Sequence, residues 1–402
     1  MSSRAGIIVV MNHSTSTFLG WIKRRILELG ELPAARRTIN LAISGLSTPL
    51  SRAWLGKMLA SRGRELAERL RDPHELGLPA LIDAIRRTYS IAAERDVVAM
   101  SGASGGMRFV AEALLGGKSD VDVLVECPTY EPLLLMPKRF GARIRRLPRK
   151  PNRAGDLATE IERHIRPETR LVVLSNLHNP TGAYLPIDEL AAAVATARHI
   201  APEVIFVVDE TFLDLGPKPL ESAAALVSTV LAPVVVIGSL SKSYGLGELR
   251  CGWVSADRSV WPTLLDDWVM FESLCPAVCE HLATAAFCDL SALRAAGMEQ
   301  LARNRIVAAE GLARLSMRGC IAPQELPYGC VVFLRLLHPN PPADLFDRLA
   351  EEHGVLVAPG RFFGDDYGNY FRIGFGGDTD QLREGLARLE AGLTALRDES
   401  TS

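Results

Sequence analysis

The chain has 402 residues, of which 48% are hydrophobic and 23% are charged, and its formal net charge is −2. A chain of this length exceeds one ordinary hydrophobic core, so we predict a large domain and a smaller one. The balanced charge excludes the uniformly basic surface typical of nucleic-acid-binding proteins, and we expect no nucleic-acid partner.

The N-terminal part contains an apolar run at residues 6–11 that is far shorter than a membrane span or the core of a signal peptide. Other apolar stretches have the length of strands, which predicts a cytoplasmic protein without a membrane partner. Seven scattered cysteines form no pair of CxxC motifs, so we expect neither a disulfide framework nor a metal site. The N-terminal segment, residues 1–45, is predicted to pack on the smaller domain.

The middle of the chain alternates short β-branched runs with helical patterns such as the one at Ile187–His199. The predicted strands are Val121–Glu126, Leu171–Ser175, Val204–Asp209 and Val234–Ile237. This alternation predicts an α/β domain, residues 46–292, with a mainly parallel sheet and helices on both faces. In such sheets, functional residues collect at the carboxyl ends of the strands.

The C-terminal part, residues 293–402, has a different α+β pattern. A long amphipathic helix from Leu293 to Ser316 is followed by the apolar run CVVFLRL and by a helix from Ala343 to Gly354. The runs GVLVAPG and YFRIGFG and a closing helix from Thr379 to Leu396 complete this part. We predict that it forms the smaller domain.

Three short polar motifs stand out, and the last two lie at the ends of predicted strands. MSGASGGM opens a helix, and the N–H groups of a helix N-terminus suit a phosphate, although a plain glycine-rich turn has the same composition. SNLHNPTGAY ends a strand in a turn with a fixed proline, which on its own indicates only structure. VVDETF places Asp209 and Glu210 at the end of a buried strand, where a carboxylate needs a partner or serves as a helix cap.

The segment SLSKSYGLGELR contains the least expected residue, Lys242, just after a buried strand. A lysine in a dry site has a lowered pKa and is a nucleophile for carbonyl groups. Ser239, Ser241 and Arg250 are donors that fit a phosphate. Arg372, within the apolar run NYFRIGFG, is suited either to binding a carboxylate or to an interdomain salt bridge.

In this order, the motifs resemble those of fold-type I pyridoxal-phosphate enzymes, and specifically the class I/II aminotransferase family. The resemblance covers roughly nine-tenths of the chain, and its most specific parts are SLSKSYGLGELRCGW and HNPTG at the family's spacing from Asp209. It implies a large domain with a mainly parallel seven-stranded sheet between helices, and a smaller α+β domain. It also implies pyridoxal 5′-phosphate as the cofactor, an α-amino acid as the substrate and a homodimer.

The resemblance assigns chemistry to three residues. Lys242 is similar to the lysine that forms a Schiff base with the cofactor and, once freed, moves the α-proton. Asp209 is similar to the aspartate that pairs with the pyridine nitrogen and keeps it protonated. Arg372 matches the arginine that binds the substrate α-carboxylate.

The remaining matches concern the ring and the phosphate of the cofactor. Asn179 matches the residue that hydrogen-bonds the ring 3′-oxygen, and Tyr130 matches the aromatic residue that stacks on the ring. The residues matched to the phosphate group are Gly102, Ala103, Ser104, Ser239 and Arg250.

Two positions depart from the family pattern. Phe212 stands where the family usually has a tyrosine that donates to the 3′-oxygen, and the loss of this donor predicts a raised pKa of the Schiff base. The stretch RLRDPHE lacks the tyrosine that often reaches the phosphate in the partner subunit. The polar residues that follow Leu70 in this stretch either line the pocket or form a solvated loop, and they are Arg71, Asp72, His74 and Glu75.

The sequence motifs do not decide which reaction the enzyme catalyses. DETFLDL, SLSKSYGLGELRCGW and HGVLVAPGRFFG are also similar to the capreomycidine synthase group, whose members cyclise an arginine derivative. Transamination, the commonest reaction of the family, is the main prediction, and a cyclase, lyase or decarboxylase of specialised metabolism is the alternative. A non-catalytic regulator that binds the cofactor is disfavoured because Lys242, Asp209 and Arg372 are all present.

Overall fold

The computed structural model describes residues 17–30, 38–69, 76–149, 157–218, 221–226, 231–271, 275–338 and 341–401. The helices in these ranges are α1 (Phe18–Gly30), α2 (Pro49–Arg69), α3 (Pro79–Thr88), α4 (Gly102–Leu115), α5 (Glu131–Arg139), α6 (Leu157–His164), α7 (Ile187–Ile200), α8 (Trp261–Phe271), α9 (Ala277–Cys288), α10 (Leu290–Met317), α11 (Leu345–Glu351) and α12 (Thr379–Thr401). The strands are β1 (Ile39–Asn40), β2 (Arg95–Ser101), β3 (Val121–Cys127), β4 (Ala142–Pro148), β5 (Leu171–Ser175), β6 (Ile205–Asp209), β7 (Val234–Ser239), β8 (Cys251–Asp257), β9 (Val331–Arg335), β10 (Val355–Leu356), β11 (Ala358–Pro359) and β12 (Tyr370–Gly374). None of the helices described has both the length and the apolar character needed to cross a membrane.

A seven-stranded sheet in the order β2-β8-β7-β6-β5-β3-β4 forms the centre of the molecule. The five strands from β7 to β4 run parallel, and β8 is antiparallel to both of its neighbours. Strands β5, β6 and β7 are continuous apolar runs, as expected of strands that are covered on both faces. Alternate residues enter two separate hydrophobic clusters, Val173 and Val207 in one and Val172 and Val208 in the other. The predicted mainly parallel α/β sheet is confirmed.

The carboxyl ends of the parallel strands bring polar residues to one edge of this sheet. Ser175 of β5 is in register with Asp209 of β6, which is in register with Ile237 of β7. Ser239 ends β7 three residues before Lys242. The sheet therefore places Asp209 and Lys242 at the edge where functional residues are expected.

The C-terminal part forms a three-stranded antiparallel sheet in the order β11-β12-β9. Helices α10 and α12 share a hydrophobic cluster with β9 and β12. The short strand β1 pairs in parallel with β10, Ile39 opposite Val355, and Leu41 N donates to Leu356 O at 2.8 Å. Residues 39–41 therefore lie against the C-terminal part, while the domain boundaries near residues 45 and 292 stay a prediction.

Strands β2, β4 and β8 are absent from the sequence-based prediction. Strand β4 (ARIRRLP) carries three arginines and has a single fully buried residue, Leu147, so it lacks the apolar run that marks the other strands. Helix α11 is shorter than the predicted 343–354 and ends before Gly354, whose φ of 63° is unsuited to a helix. Helix α10 is longer than predicted at both ends.

Four arginines lie on or just after β4, Arg143, Arg145, Arg146 and Arg149, and each forms an ion pair with a carboxylate. Arg145 Nη2 lies 2.6 Å from Asp122 Oδ1, and Arg149 Nη1 lies 2.5 Å from Glu126 Oε2. Arg146 pairs with two aspartates that follow β11. These pairs neutralise the charges that a polyanion groove would require.

Candidate active site

A cavity of about 1090 Å³ lies at the carboxyl edge of the seven-stranded sheet. Its volume suits a cofactor together with a small substrate. The predicted site residues in its lining are Ala103, Ser104, Tyr130, Asn179, Asp209, Ser239, Lys242 and Arg250. Gly102 and Arg372 are buried behind the lining, where they contact Arg250 and Asn179 respectively.

Lys242 follows β7, and its side chain is held by a loop from the N-terminal part. Its Nζ donates a hydrogen bond to Ser44 O at 2.9 Å, and its carbonyl accepts one from Leu46 N at 2.7 Å. Burial lowers the pKa of Lys242, and the guanidinium of Arg372 lowers it further. A lysine in this environment loses its proton more readily and can act as a nucleophile or a base.

The first turn of α4 and the loop after β7 form a group of donors for an anion. The first N–H groups of a helix have no acceptor within it, and the Ser101 side chain does not cap α4. Arg250 Nη2 donates to Ser101 O at 3.4 Å, and Ser239 Oγ donates to Ser241 Oγ at 2.8 Å. Arg250 has a φ of 48°, a conformation that long side chains rarely adopt outside functional sites. Together these donors suit a phosphate group.

Asp209 offers one of its two carboxylate oxygens to the cavity. Its Oδ1 accepts from Thr211 N at 2.9 Å and from Thr211 Oγ1 at 2.5 Å, whereas its Oδ2 makes no hydrogen bond to the residues described. Burial raises the pKa of Asp209, and the bonds from Thr211 and the charge of Lys242 oppose that rise. Glu210, the neighbouring carboxylate, has partners of its own, since it accepts from Ser222 Oγ at 2.5 Å and from Ala223 N at 2.7 Å. The described ranges contain no group of three or more acidic, histidine or cysteine side chains that could hold a metal ion.

Arg372 is a buried cation held by neutral acceptors. Its Nη1 donates to Asn179 Oδ1 at 2.8 Å, and its Nη2 donates to Ala42 O at 2.6 Å. Its Nε has no hydrogen-bond partner in the described part of the chain. Burial lowers the pKa of Arg372 to about 10. Arg372 forms no ion pair with any carboxylate among the described residues, so the interdomain salt bridge is not seen there. A buried cation without a negatively charged partner favours the binding of an anionic ligand.

Tyr130 and Phe212 supply aromatic walls. Tyr130 immediately precedes α5, and burial raises its pKa to about 12, so its hydroxyl keeps its proton at neutral pH. Phe212 lines the same cavity and also packs into the hydrophobic cluster of the C-terminal part. Its ring has no donor to offer a ligand, unlike the tyrosine that the family usually has there.

Sequence reasoning missed the N-terminal loop that borders the cavity. Ser44 and Ala42 contribute backbone carbonyls, which have no sequence signal because every residue has one. Thr211 was also missed, although a threonine two residues after a strand-end aspartate is the local pattern of an Asx turn. The four polar residues that follow Leu70 in the RLRDPHE stretch, Arg71, Asp72, His74 and Glu75, lie outside the described residues.

The sequence profile of aminotransferase class I and II matches residues 37–389. The match includes the sheet, the cavity and every predicted site residue. The chain belongs to the class I and II aminotransferase family and is a pyridoxal-phosphate-dependent enzyme. The resemblance inferred from the motifs, with its cofactor, is confirmed.

The individual relatives include both a synthase and aminotransferases. The chain is 32% identical over 277 residues to capreomycidine synthase from Streptomyces vinaceus, covering 67% of each chain. It is 29% identical over 325 residues to valine–pyruvate aminotransferase from Mycobacterium tuberculosis, covering 78% of this chain and 81% of the relative. Its fold matches N-succinyldiaminopimelate aminotransferase from Mycobacterium tuberculosis with a TM-score of 0.78 at 20% identity, over 94% of this chain and 97% of that structure.

Proposed function

We propose that the cavity holds pyridoxal phosphate and carries out transamination of an α-amino acid. Lys242 would bind the cofactor covalently, Asp209 Oδ2 would accept from its ring nitrogen, and Tyr130 would cover the ring. Asn179 would contact the ring oxygen. The residues that would bind the phosphate are Gly102, Ala103, Ser104, Ser239 and Arg250. The donor set fits the cofactor because an anion site, a free carboxylate oxygen and a partly buried lysine border one cavity.

One observation carries this proposal: the partly buried Lys242 and the fully buried Arg372 lie close together, and neither forms an ion pair with a described carboxylate. Lys242 Nζ bonds to the neutral Ser44 O, and Arg372 bonds to Asn179 and Ala42. Their mutual repulsion favours a neutral amine at Lys242 and an anion beside Arg372. An α-amino acid supplies that anion in its carboxylate.

The bound cofactor supplies an electron sink that stabilises negative charge on the substrate Cα. Arg372 then orients Cα by binding the α-carboxylate, for which its unpaired Nε is available. Lys242 Nζ, with its lowered pKa, accepts the α-proton and returns it. The hydrogen bond that Arg372 Nη1 donates to Asn179 Oδ1 keeps the guanidinium next to the ring-binding residues.

The reaction is tested by following the substrate nitrogen. The enzyme is incubated with amino acids isotopically labelled in the α-amino group and with unlabelled pyruvate, and the products are identified by mass spectrometry. We expect the label in alanine. Label that stays in a rearranged product, or that is released as ammonia, would overturn transamination.

A cyclase is the second candidate, and the similarity to capreomycidine synthase favours it. In that case an arginine-derived substrate loses a leaving group and keeps its α-nitrogen. Retained label in a ring-containing product from an arginine derivative is the outcome expected of this candidate.

Gly102 provides a test of the phosphate site. A Cβ at this position would lie 2.6 Å from Arg250 Nη2, so Gly102→Ala is expected to displace Arg250 and weaken cofactor binding about tenfold. Fluorescence titration of the apoenzyme with pyridoxal phosphate measures the change. Gly117→Ala is the matched control, because Gly117 also has a positive φ, 70° against 76°, but has nothing within 4 Å of its Cβ. Equal affinities of the two variants would contradict the assignment.

Phe212 provides a test of the cofactor's ring environment. Phe212→Tyr adds a donor to the ring oxygen, which favours loss of the proton from Lys242 Nζ in the cofactor-bound enzyme. We expect the pKa of that proton to fall by about one unit, as read from the visible absorbance against pH. An unchanged or higher pKa would show that residue 212 does not face the ring oxygen.

We also propose a cytoplasmic homodimer whose second subunit covers the mouth of the cavity. Support comes from exposed apolar side chains there, since Ile43 is 57% exposed in the lining and Leu50 is 42% exposed at the start of α2. Light scattering on the purified enzyme tests this, and a monomer at micromolar concentration would contradict it.

A further inference from the structure

Glu131 is a buried carboxylate that none of the cofactor or substrate roles above uses. It directly follows Tyr130 as the first residue of α5 and is 8% exposed. Its Oε2 accepts from Phe18 N at 2.7 Å, and the backbone N–H groups of Phe18 and Leu19 oppose the rise in its pKa that burial causes. Among the described residues no cation forms an ion pair with it, so its charge is balanced by the N-terminus of α1. Burying a carboxylate costs free energy unless hydrogen bonds compensate for its lost hydration, so the bonds to α1 are needed to stabilise it.

Helix α1, whose N-terminus Glu131 binds, joins the two parts of the molecule. Near its other end, Arg25 Nη1 lies 2.8 Å from Glu351 Oε1 of α11. Between these contacts, the ring of Trp21 packs 5.5 Å from that of Phe362. The helix therefore spans from α5, on the large sheet, to α11, on the C-terminal part, with Glu131 as its anchor on the large-sheet side.

Phe18, whose backbone N–H donates to Glu131, also contacts Arg372 through its ring. The Arg372 Cζ lies 5.6 Å from the centre of the Phe18 ring and 5.1 Å from the centre of the Phe363 ring. The two rings are themselves 6.0 Å apart. They keep water from one side of the guanidinium, and a charged group in drier surroundings forms stronger bonds to a carboxylate.

We propose that Glu131 is a positioning residue for substrate-carboxylate recognition, because it fixes Phe18 against the guanidinium of Arg372. The inference rests on the proposed role of Arg372 as the carboxylate-binding residue. Loss of the Glu131 bonds frees the start of α1, moves the Phe18 ring and admits water beside Arg372. Neither Glu131 nor Phe18 lines the cavity, so the loss of these bonds removes no side chain that faces the cofactor site.

Two small carbonyl reagents test the proposal without knowledge of the substrate. Aminooxyacetate and methoxyamine react with the bound cofactor in the same way, but only aminooxyacetate carries a carboxylate. The ratio of their rate constants with the holoenzyme therefore reports carboxylate recognition alone. We expect Glu131→Ala to reduce this ratio about tenfold, and Glu131→Gln, which keeps an acceptor oxygen, to reduce it less.

Two further variants serve as the parallel test and the control. Phe18→Leu removes the ring but keeps the backbone hydrogen bond to Glu131. We expect it to lower the ratio of the two rate constants by a similar factor. Leu19 lies on the same turn of α1, but its side chain is 41% exposed. We therefore expect the Leu19→Ala variant to have the same ratio of rate constants as the unmodified enzyme. Hydrogen exchange of the apoenzyme gives a second readout, in which the amides of residues 18–30 exchange faster in Glu131→Ala and not in Leu19→Ala.

The outcomes separate this inference from the proposed function. A ratio that stays unchanged in Glu131→Ala and Phe18→Leu overturns the inference, whether or not exchange in α1 increases. Equal effects of Leu19→Ala and Glu131→Ala overturn it as well. If the unmodified enzyme reacts with neither reagent, or shows no preference for the carboxylate, the proposed function fails first and the inference falls with it.

Discussion

Replacing Lys242 with alanine is expected to remove the visible absorbance of the bound cofactor and to reduce turnover by at least about 10⁴-fold. The residue has two proposed tasks, the covalent link and the proton transfer at Cα, and the loss of a group that serves both leaves only binding and polarisation. No other lysine lines the cavity in the described part of the chain. Absorbance spectra and single-turnover rates measure the two tasks separately.

The control for this variant is Lys138→Ala, which removes an exposed lysine from α5 without approaching the cavity. It should keep the spectrum and the rate of the unmodified enzyme. A Lys242→Ala enzyme that retains both the visible band and a turnover within tenfold would contradict the assignment of the catalytic lysine.

Replacing Arg372 with leucine is expected to raise KM for an α-amino acid on the order of 10²-fold, while the cofactor still binds. The expectation follows from the truncation of a buried charge pair, which costs about 2–5 kcal/mol. Because the substitution removes the donor of two buried hydrogen bonds, to Asn179 Oδ1 and Ala42 O, we also expect a loss of folding stability of about 1–3 kcal/mol. Steady-state kinetics and a thermal melt of the same preparation test both expectations.

Arg335→Leu is the matched control for this variant. Arg335 lies on β9, the strand that pairs with β12, but its side chain is exposed. It should leave KM unchanged. If Arg372→Leu raised KM no more than Arg335→Leu, or if it affected carboxylate-free amines as strongly as amino acids, Arg372 would not be the carboxylate-binding residue.

The parts of the molecule that could be predicted from sequence are those in which local pattern and function coincide. Strands β5, β6 and β7 are buried on both faces, so their apolar runs are unbroken and the polar residues that follow them are conspicuous. Lys242 and Asp209 stand out for that reason. Strand β4 was not predictable, because its arginines are stabilised by carboxylates of distant segments rather than by a local pattern.

The missed part of the site depends on tertiary contacts. Ser44 O and Ala42 O, which bind Lys242 and Arg372, belong to a loop about 200 and 330 residues away from their partners along the chain. The bond between Glu131 and Phe18 likewise joins residues 113 positions apart. A sequence pattern cannot reveal such pairs, since neither member carries a signal of the other. The choice between transamination and cyclisation has the same origin, because it depends on how the pocket orients the substrate side chain.

The most direct test of the account is borohydride reduction of the native enzyme followed by peptide mapping. Reduction makes the link between lysine and cofactor permanent, and mass spectrometry then locates the modified residue. We predict a single pyridoxyl group, on Lys242, in the peptide that contains SLSKSYGLGELR. A pyridoxyl group on another lysine, or none on an enzyme purified with the cofactor present, would contradict the central claim.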